Sequence, residues 1–252
     1  MSIIDPVAAL MLPDGAIVDR RVAKKLLIEH GARTASDRRH IREGIEEIRW
    51  LASLKPTTIG VAEYHDSGRE YVEIAVLKLR LRCGARAERL TELVHRAVPY
   101  PVVLFSCGED GLVISLAHVR WSLGEGGKTV LDGNVVATPP LNDQEHETTM
   151  AFIENLAVGS QPRATLHSLY QGWIDAVRAL RVAGVTGEFQ LPASQFEAEE
   201  RAAALGEFYR LESRIAELNA AASKEKQIAR RVDLNLELKR LRSDRDVIRA
   251  RL

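Results

Sequence analysis

Residues 71–121 carry the clearest secondary-structure pattern in the chain and read YVEIAVLKLRLRCGARAERLTELVHRAVPYPVVLFSCGEDGLVISLAHVRW. The first part, residues 71–81, is rich in apolar and β-branched residues with a period of two, which predicts a β-strand. A helix is predicted over residues 86–97, because four apolar side chains recur there at helical spacing: Leu90, Leu93, Val94 and Ala97.

A β-hairpin is predicted directly after this helix. Pro99 and Pro101 cannot continue the helix and lead into a strand over residues 102–106. The Gly-Glu-Asp-Gly sequence at residues 108–111 is typical of a turn, and a further strand is predicted over residues 112–121.

A second hairpin is predicted before the helix, in which residues 58–64 pair with strand 71–81 through a turn at residues 65–68. The result is a ββαββ unit over residues 57–137, extended by a strand at residues 129–137. Connections within the hairpins are too short for parallel crossovers. The predicted fold class is therefore α+β, with a mostly antiparallel sheet and flanking helices on one face.

Further helices are predicted on both sides of the sheet segment. Upstream, residues 17–30 and 36–54 place apolar side chains three and four positions apart. Downstream, the same spacing occurs over residues 143–157 and, more strongly, over residues 166–180. The chain should thus enter and leave the sheet through helices.

A change in composition divides the chain into two predicted domains. The Leu-Pro-Ala-Ser sequence at residues 191–194 reads as a linker, and the segment after it is dominated by Ala, Leu, Glu, Arg and Lys. Residues 1–190 are predicted to form an α+β body, with a helical lead-in at 17–54 and a helical segment at 143–183. Residues 191–252 are predicted to form a C-terminal charged helical arm.

The predicted arm combines an apolar seam with a division of charge. Residues 197–223 hold six acidic and three basic residues, whereas residues 224–252 hold five acidic and ten basic residues. Two shorter helices and one interrupted coiled-coil helix both fit this pattern. The opposite charges favour an antiparallel hairpin, self-association of two arms, or pairing with a partner helix. The candidate partner-binding residues are Leu234, Leu238, Leu241 and Ile248.

The overall charge does not indicate nucleic-acid binding, because Lys and Arg together equal Asp and Glu at 35 each. Weak binding to the DNA backbone would therefore require a local basic patch. The candidate contacts are Lys78, Arg80 and Arg82, which share one face of a predicted strand, and Arg230 and Arg231 in the arm. A solvated or neutralised strand end is the alternative interpretation of the first three.

No catalytic or metal-binding motif is recognisable. The seven histidines have neither HExxH spacing nor the arrangement of a zinc site. A restriction-type nuclease needs Glu-x-Lys on a strand, whereas Glu73 and Lys78 are five residues apart and point to opposite faces. We interpret His95 and His118 as structural histidines, and we predict no catalytic residue, no metal and no cofactor.

The chain is predicted to be cytoplasmic. Cys83 and Cys107 are its only cysteines, and they have neither CxxC spacing nor the density of a secreted disulfide scaffold. The first twelve residues lack a basic leader, and no apolar run approaches the roughly 20 residues that span a bilayer. Association with a membrane is therefore not expected.

Three stretches resemble the bacterial family DUF4391, a domain of unknown function. The helix-to-strand junction is the most specific, because two prolines around a tyrosine are an uncommon start for a buried strand. The stretches are Arg49-Trp50-Leu51 with Lys55-Pro56-Thr57-Thr58, the junction His95-Arg96-Ala97-Val98-Pro99-Tyr100-Pro101, and Lys224-Glu225-Lys226-Gln227 with Val232-Asp233-Leu234-Asn235.

The resemblance implies a biological setting and not a reaction. Members of the family look like small accessory proteins encoded near DNA methyltransferases and helicases of restriction-modification-like or antiphage defence systems. It implies a non-catalytic accessory or adaptor subunit that docks a methyltransferase or helicase through its arm and contacts the DNA backbone. The alternative is a cryptic, nuclease-like DNA-processing enzyme whose site is assembled from residues distant in the sequence.

Overall fold

The structure is a computed structural model that describes residues 5–124, 127–142 and 147–252, and it divides into two compact units. The first unit extends to Leu180, and the second runs from Arg181 to Leu252. The boundary between the units falls within the helix Leu166–Thr186, about ten residues before the change in composition at residue 190. The C-terminal end of this helix therefore belongs to the second unit.

The secondary structure alternates between helices and strands through the first unit. In chain order the helices are α1 (Pro6–Ala9), α2 (Lys24–His30), α3 (Ala35–Gly44), α4 (Pro56–Ile59), α5 (Ala87–Ala97), α6 (Glu147–Glu154), α7 (Leu166–Thr186), α8 (Gln195–Lys224) and α9 (Ile228–Arg249). The strands are β1 (Ile17–Arg21), β2 (Ile45–Leu54), β3 (Tyr64–His65), β4 (Glu70–Tyr71), β5 (Ile74–Leu81), β6 (Val102–Gly108), β7 (Gly111–Leu116), β8 (Val119–Trp121), β9 (Thr129–Leu131) and β10 (Val136–Ala137).

A six-stranded sheet in the order β1-β2-β5-β6-β7-β10 forms the centre of the first unit. Its neighbouring strands are antiparallel except for β5 and β6, which run parallel. Helix α5 connects these two, because a parallel pair needs a crossover connection. The predicted α+β class with a mostly antiparallel sheet is confirmed.

The two predicted upstream helices were partly wrong. Residues 17–30 form strand β1 and then helix α2. The helix predicted over residues 36–54 ends at Gly44, and the chain continues as β2. Strand β2 lies between β1 and β5, so both of its edges form sheet hydrogen bonds. This pairing outweighs the helical spacing of its apolar residues, since local propensity is only a weak preference.

The predicted hairpin before α5 is also corrected. Within residues 58–64, the first two belong to helix α4, and only Tyr64 joins a strand, which pairs with β4. The antiparallel neighbour of β5 is instead β2. After α5, the hairpin of β6 and β7 matches the prediction, although the predicted strand 112–121 is divided into β7 and β8. Part of the predicted helix 143–157, namely residues 143–146, lies outside the described residues.

Helices α2, α3 and α5 cover one face of the sheet. Gly31, at the end of α2, permits a close approach to α5, because a Cβ there would lie 2.7 Å from the Leu93 carbonyl oxygen. Burying each large apolar side chain contributes roughly 1.5–3 kcal/mol. The fully buried members of this core are Leu27, Ile41, Ile45, Ile48, Ala75, Leu77, Leu79, Leu81, Leu90, Leu93, Val94, Val102 and Leu104.

A buried ion pair connects α3 to α5. The Thr34 hydroxyl caps α3 by accepting a hydrogen bond from the Asp37 backbone N–H at 3.1 Å. The Asp37 carboxylate in turn accepts hydrogen bonds from Arg89 at 2.8 and 2.9 Å. Burial opposes ionisation of Asp37, but the hydrogen bonds from Arg89 and Thr34 outweigh it and lower the pKa of this carboxyl.

The opposite face of the sheet is buried in its central part. Leu104 and Phe105 are consecutive residues of β6 and point to opposite faces, yet both are fully buried. Tyr170 of α7 contacts this region, donating a hydrogen bond to the Val102 carbonyl at 2.7 Å and accepting one from the Ala117 N–H at 2.9 Å. Among the described residues, no helix is long and apolar enough to cross a membrane.

Candidate functional site

Helices α8 and α9 form an antiparallel hairpin in the second unit. Arg245 donates a hydrogen bond to Glu212 at 2.8 Å, and Arg242 donates one to Asn219 at 3.2 Å. Residue numbers in these pairs rise along one helix as they fall along the other, which defines the antiparallel direction. The division of charge predicted for the arm thus acts across the hairpin.

The predicted partner-binding seam faces the interior of this hairpin. Leu238 is 3% exposed and packs with Ile215 and Leu218 of α8, while Leu234 and Leu241 lie partly buried against the same cluster. Ile248, the fourth predicted residue, is also buried. The seam is therefore largely covered by α8, which corresponds to the antiparallel hairpin among the alternatives that the charge division left open.

A second apolar stripe lies on the opposite side of α9, and sequence analysis missed it. Its members are Ile228, Val232, Leu236 and Val247, which are 72, 50, 56 and 62% exposed. At 3.6 residues per turn they fall within an arc of about 100°, centred about 170° from the buried seam. The i, i+4, i+8 spacing of the first three is the sequence signal that identifies this outer stripe.

Basic side chains border the outer stripe. Lys239 and Arg240 lie on the same side of α9 as the stripe by helical spacing, whereas Arg230 and Arg231, which are exposed near the start of α9, fall towards the side of the seam. Within the described residues these four side chains form no ion pair, in contrast to Arg245. Their positive charge is therefore available to a binding partner.

The basic stripe predicted on β5 is neutralised at one of its three cations. Arg80 pairs with Glu46 at 2.9 Å and with Glu47 at 3.2 Å, both from the adjacent strand β2. Lys78 is partly buried, and Arg82 is exposed at the end of the strand. Sequence periodicity placed the three cations on one face, but it did not show that the neighbouring strand contributes carboxylates to that face.

A partly buried cluster of histidine and tyrosine side chains was not predicted. The Tyr71 hydroxyl hydrogen-bonds to Nδ1 of His118, whose Nε2 lies 2.8 Å from the side-chain oxygen of Gln171. The rings of His118 and His167 stack with centroids 5.0 Å apart. Burial lowers the pKa of both histidines, that of His118 to about 4, and raises the pKa of Tyr71. The cluster is neutral and internally hydrogen-bonded, which fits the structural role predicted for His118.

The residues tested for nuclease chemistry do not converge. Glu73 is buried, accepts a hydrogen bond from the Ser53 hydroxyl at 2.6 Å and pairs with Lys55 at 3.2 Å. Across residues 5–124, 127–142 and 147–252 there is no group of three or more His, Cys, Asp or Glu residues that could hold a metal ion.

One comparison with known proteins relates the chain to a family. A family model described as "Domain of unknown function (DUF4391)" matches residues 10–244, which covers the sheet unit and nearly all of the hairpin. No curated protein and no solved structure matches the chain.

Proposed function

Since the chain belongs to the DUF4391 family, whose function is unknown, we propose that it is a non-catalytic accessory subunit of a cytoplasmic restriction-modification-like or antiphage defence system. In this role it docks the DNA methyltransferase or helicase of the same system. The family setting supports the identity of the partner, and the hairpin supports the mode of docking.

The observation that carries the proposal is the outer stripe of α9. Four large apolar side chains on one helix face are half or more exposed; Ile228, Val232 and Leu236 follow one another on successive turns, and contiguous apolar surface of this kind commonly marks an interaction site. Burying each would contribute roughly 1.5–3 kcal/mol before the cost of association. The stripe can thus supply the apolar centre of an interface, with the bordering cations as its rim.

The basic rim also specifies the kind of surface that fits. An acidic amphipathic helix of the methyltransferase or helicase would place its apolar side on Val232 and Leu236, and its carboxylates against Lys239 and Arg240. Arg230 and Arg231 then contribute backbone contacts to any DNA bound by the complex.

Co-purification tests this function directly. The chain is co-expressed with the methyltransferase or helicase encoded beside it, and recovery of the complex is compared between wild type and Val232→Glu/Leu236→Glu. We expect the double substitution to abolish recovery, because each carboxylate would be buried against an apolar surface.

Leu123→Glu is the matched control, since Leu123 is 96% exposed and lies in the first unit. It should leave recovery unchanged. Full recovery with the double substitution would exclude the outer stripe as the docking surface. If the purified chain associates only with itself, the partner that docks on the outer stripe is a second copy of the chain and not the methyltransferase or helicase.

A further inference from the structure

A cleft of about 1380 Å³ opens in the first unit, separate from the hairpin. Its lining comes from α5, from the adjoining parts of β6 and β7 and from residues 127–140, and the buried polar side chains among these residues are called the floor. The apolar sheet core described above ends at this point, and the floor of the cleft is polar.

Buried polar side chains are concentrated at this cleft. Thr91, His95, Ser106 and Thr138 line it and are 8, 2, 4 and 5% exposed. They are four of the nine buried polar or charged residues in the described part of the chain. Such concentration is unexpected for a core that serves packing alone, because burying a polar group is unfavourable unless it is hydrogen-bonded.

Several of these groups retain unused hydrogen-bonding capacity. The Ser106 hydroxyl is buried and has no hydrogen-bond partner. Within the described residues the Thr91 hydroxyl forms no hydrogen bond but is not fully buried, and His95 makes one side-chain hydrogen bond, from Nε2 to the Ser115 hydroxyl at 3.0 Å. Buried polar groups in folded proteins are nearly always paired, so the unpaired Ser106 hydroxyl indicates a ligand that completes its hydrogen bonds.

The chemistry of the floor selects an uncharged ligand. Its polar groups are hydroxyls and an imidazole, and burial lowers the pKa of His95 to about 3, so the ring is neutral near pH 7. One ring nitrogen then donates and the other accepts. Charged side chains such as Arg33, Arg82 and Glu88 line the cleft but are exposed. A charged ligand group at the floor would lose hydration without gaining an opposite charge.

The lining also contains aliphatic side chains, among them Val113, Val130 and Leu131. A ligand that packs on these side chains and hydrogen-bonds to the floor has apolar faces and a hydrogen-bonding edge, as a neutral heterocycle does. The cleft is larger than most small-molecule sites of about 300–1,000 Å³, which leaves room for a sugar towards the rim.

We propose that this cleft binds an uncharged nucleobase-type heterocycle, with its polar edge hydrogen-bonded to Ser106, Thr91 and His95. Free nucleosides and bases within single-stranded nucleic acid share this chemistry. All residues that line the cleft belong to the first unit.

Calorimetric titration of the full chain with adenosine, guanosine, cytidine and thymidine tests the proposal, with a single-stranded oligonucleotide of mixed sequence as a second arm. We expect binding of at least one nucleoside, and affinity about tenfold lower in Ser106→Ala and in Thr91→Val, because each removes one hydrogen bond to the ligand. If the oligonucleotide binds more tightly than every nucleoside, the natural ligand is a base within single-stranded nucleic acid and not a free nucleoside.

A second measurement separates a ligand contact from a structural role. Ser106→Ala should leave the melting temperature of the free protein unchanged or raise it, because it removes an unpaired buried hydroxyl. Ser160→Ala, at an exposed position outside the cleft, is the control and should change neither quantity. Absence of binding to all probes at millimolar concentration, or equal affinity in Ser106→Ala and wild type, would overturn the proposal.

Discussion

Leu236 and Leu238 form a matched pair for testing which side of α9 is internal. They are two residues apart on the same helix, and replacing either with Ala removes the same atoms. Leu238 is 3% exposed and packs with Ile215 and Leu218, whereas Leu236 is 56% exposed on the outer stripe. Any difference between the two variants therefore reports burial and not residue type.

The expected magnitude follows from the size of the hairpin interior. Leu→Ala substitutions in a protein core cost about 2–5 kcal/mol, depending on how far the site can collapse. The neighbours Leu234 and Leu241 are only partly buried and can relax towards the cavity, so we expect about 2–3 kcal/mol for Leu238→Ala. Leu236→Ala should stay within about 0.5 kcal/mol, as most surface substitutions do.

Amide hydrogen exchange measures this difference locally. A loss of about 2–3 kcal/mol raises the open fraction of the hairpin, and hence amide exchange in α8 and α9, about 30- to 140-fold. Exchange in α5, which belongs to the other unit, is the internal control and should not change. The recovery of the complex in co-purification should show the opposite ranking of the two variants. Leu236→Ala should lower it more than Leu238→Ala, because Leu236→Ala removes part of the docking surface while leaving the hairpin folded.

Equal exchange rates in the two variants would refute the assignment of the two faces. Faster exchange in Leu236→Ala than in Leu238→Ala would place the outer stripe inside the hairpin. Either result would also contradict the exposure of Leu236, on which the proposed docking surface rests.

Three further predictions concern the rest of the chain. Asp37→Asn should lower the free energy of unfolding by about 1–3 kcal/mol in denaturant titrations, since Arg89 loses its charged hydrogen bonds to Asp37 and keeps only Glu92 as an ionic partner. The free energy of unfolding should fall as the pH is lowered from about 6.5 to about 4, because His118 is neutral in the folded protein but becomes protonated in the unfolded chain. His118→Gln should reduce this decline when the free energy of unfolding is measured across this pH range. Arg230→Ala/Arg231→Ala should lower the affinity for an oligonucleotide several-fold and should reduce the slope of log affinity against log salt concentration by about two. Arg80→Ala should change neither quantity, because Arg80 is already paired with carboxylates.

Local spacing predicted the centre of the fold well. Helix α5, strand β5 and the β6–β7 hairpin lie where apolar periodicity and turn residues placed them. These segments have a period that matches their structure, and their boundaries are set by prolines and glycines. Strand β2 shows the opposite case, because its apolar residues fit a helix and only its two neighbouring strands favour an extended conformation.

The candidate sites were less accessible to sequence analysis. The cations of the β5 stripe were found, but Glu46 and Glu47, which neutralise Arg80, come from a segment predicted to be helical. Ser106 carries no motif, and only the folded structure shows that its hydroxyl is buried without a hydrogen-bond partner.

The sequence by itself determined that α9 is amphipathic, that its charge is opposite to that of α8, and that Leu234, Leu238 and Leu241 form one seam. Only the tertiary structure decided that α8 covers this seam and that the stripe around Val232 and Leu236 stays exposed. The reason is physical: periodicity shows which side chains share a face, whereas burial depends on what folds against that face.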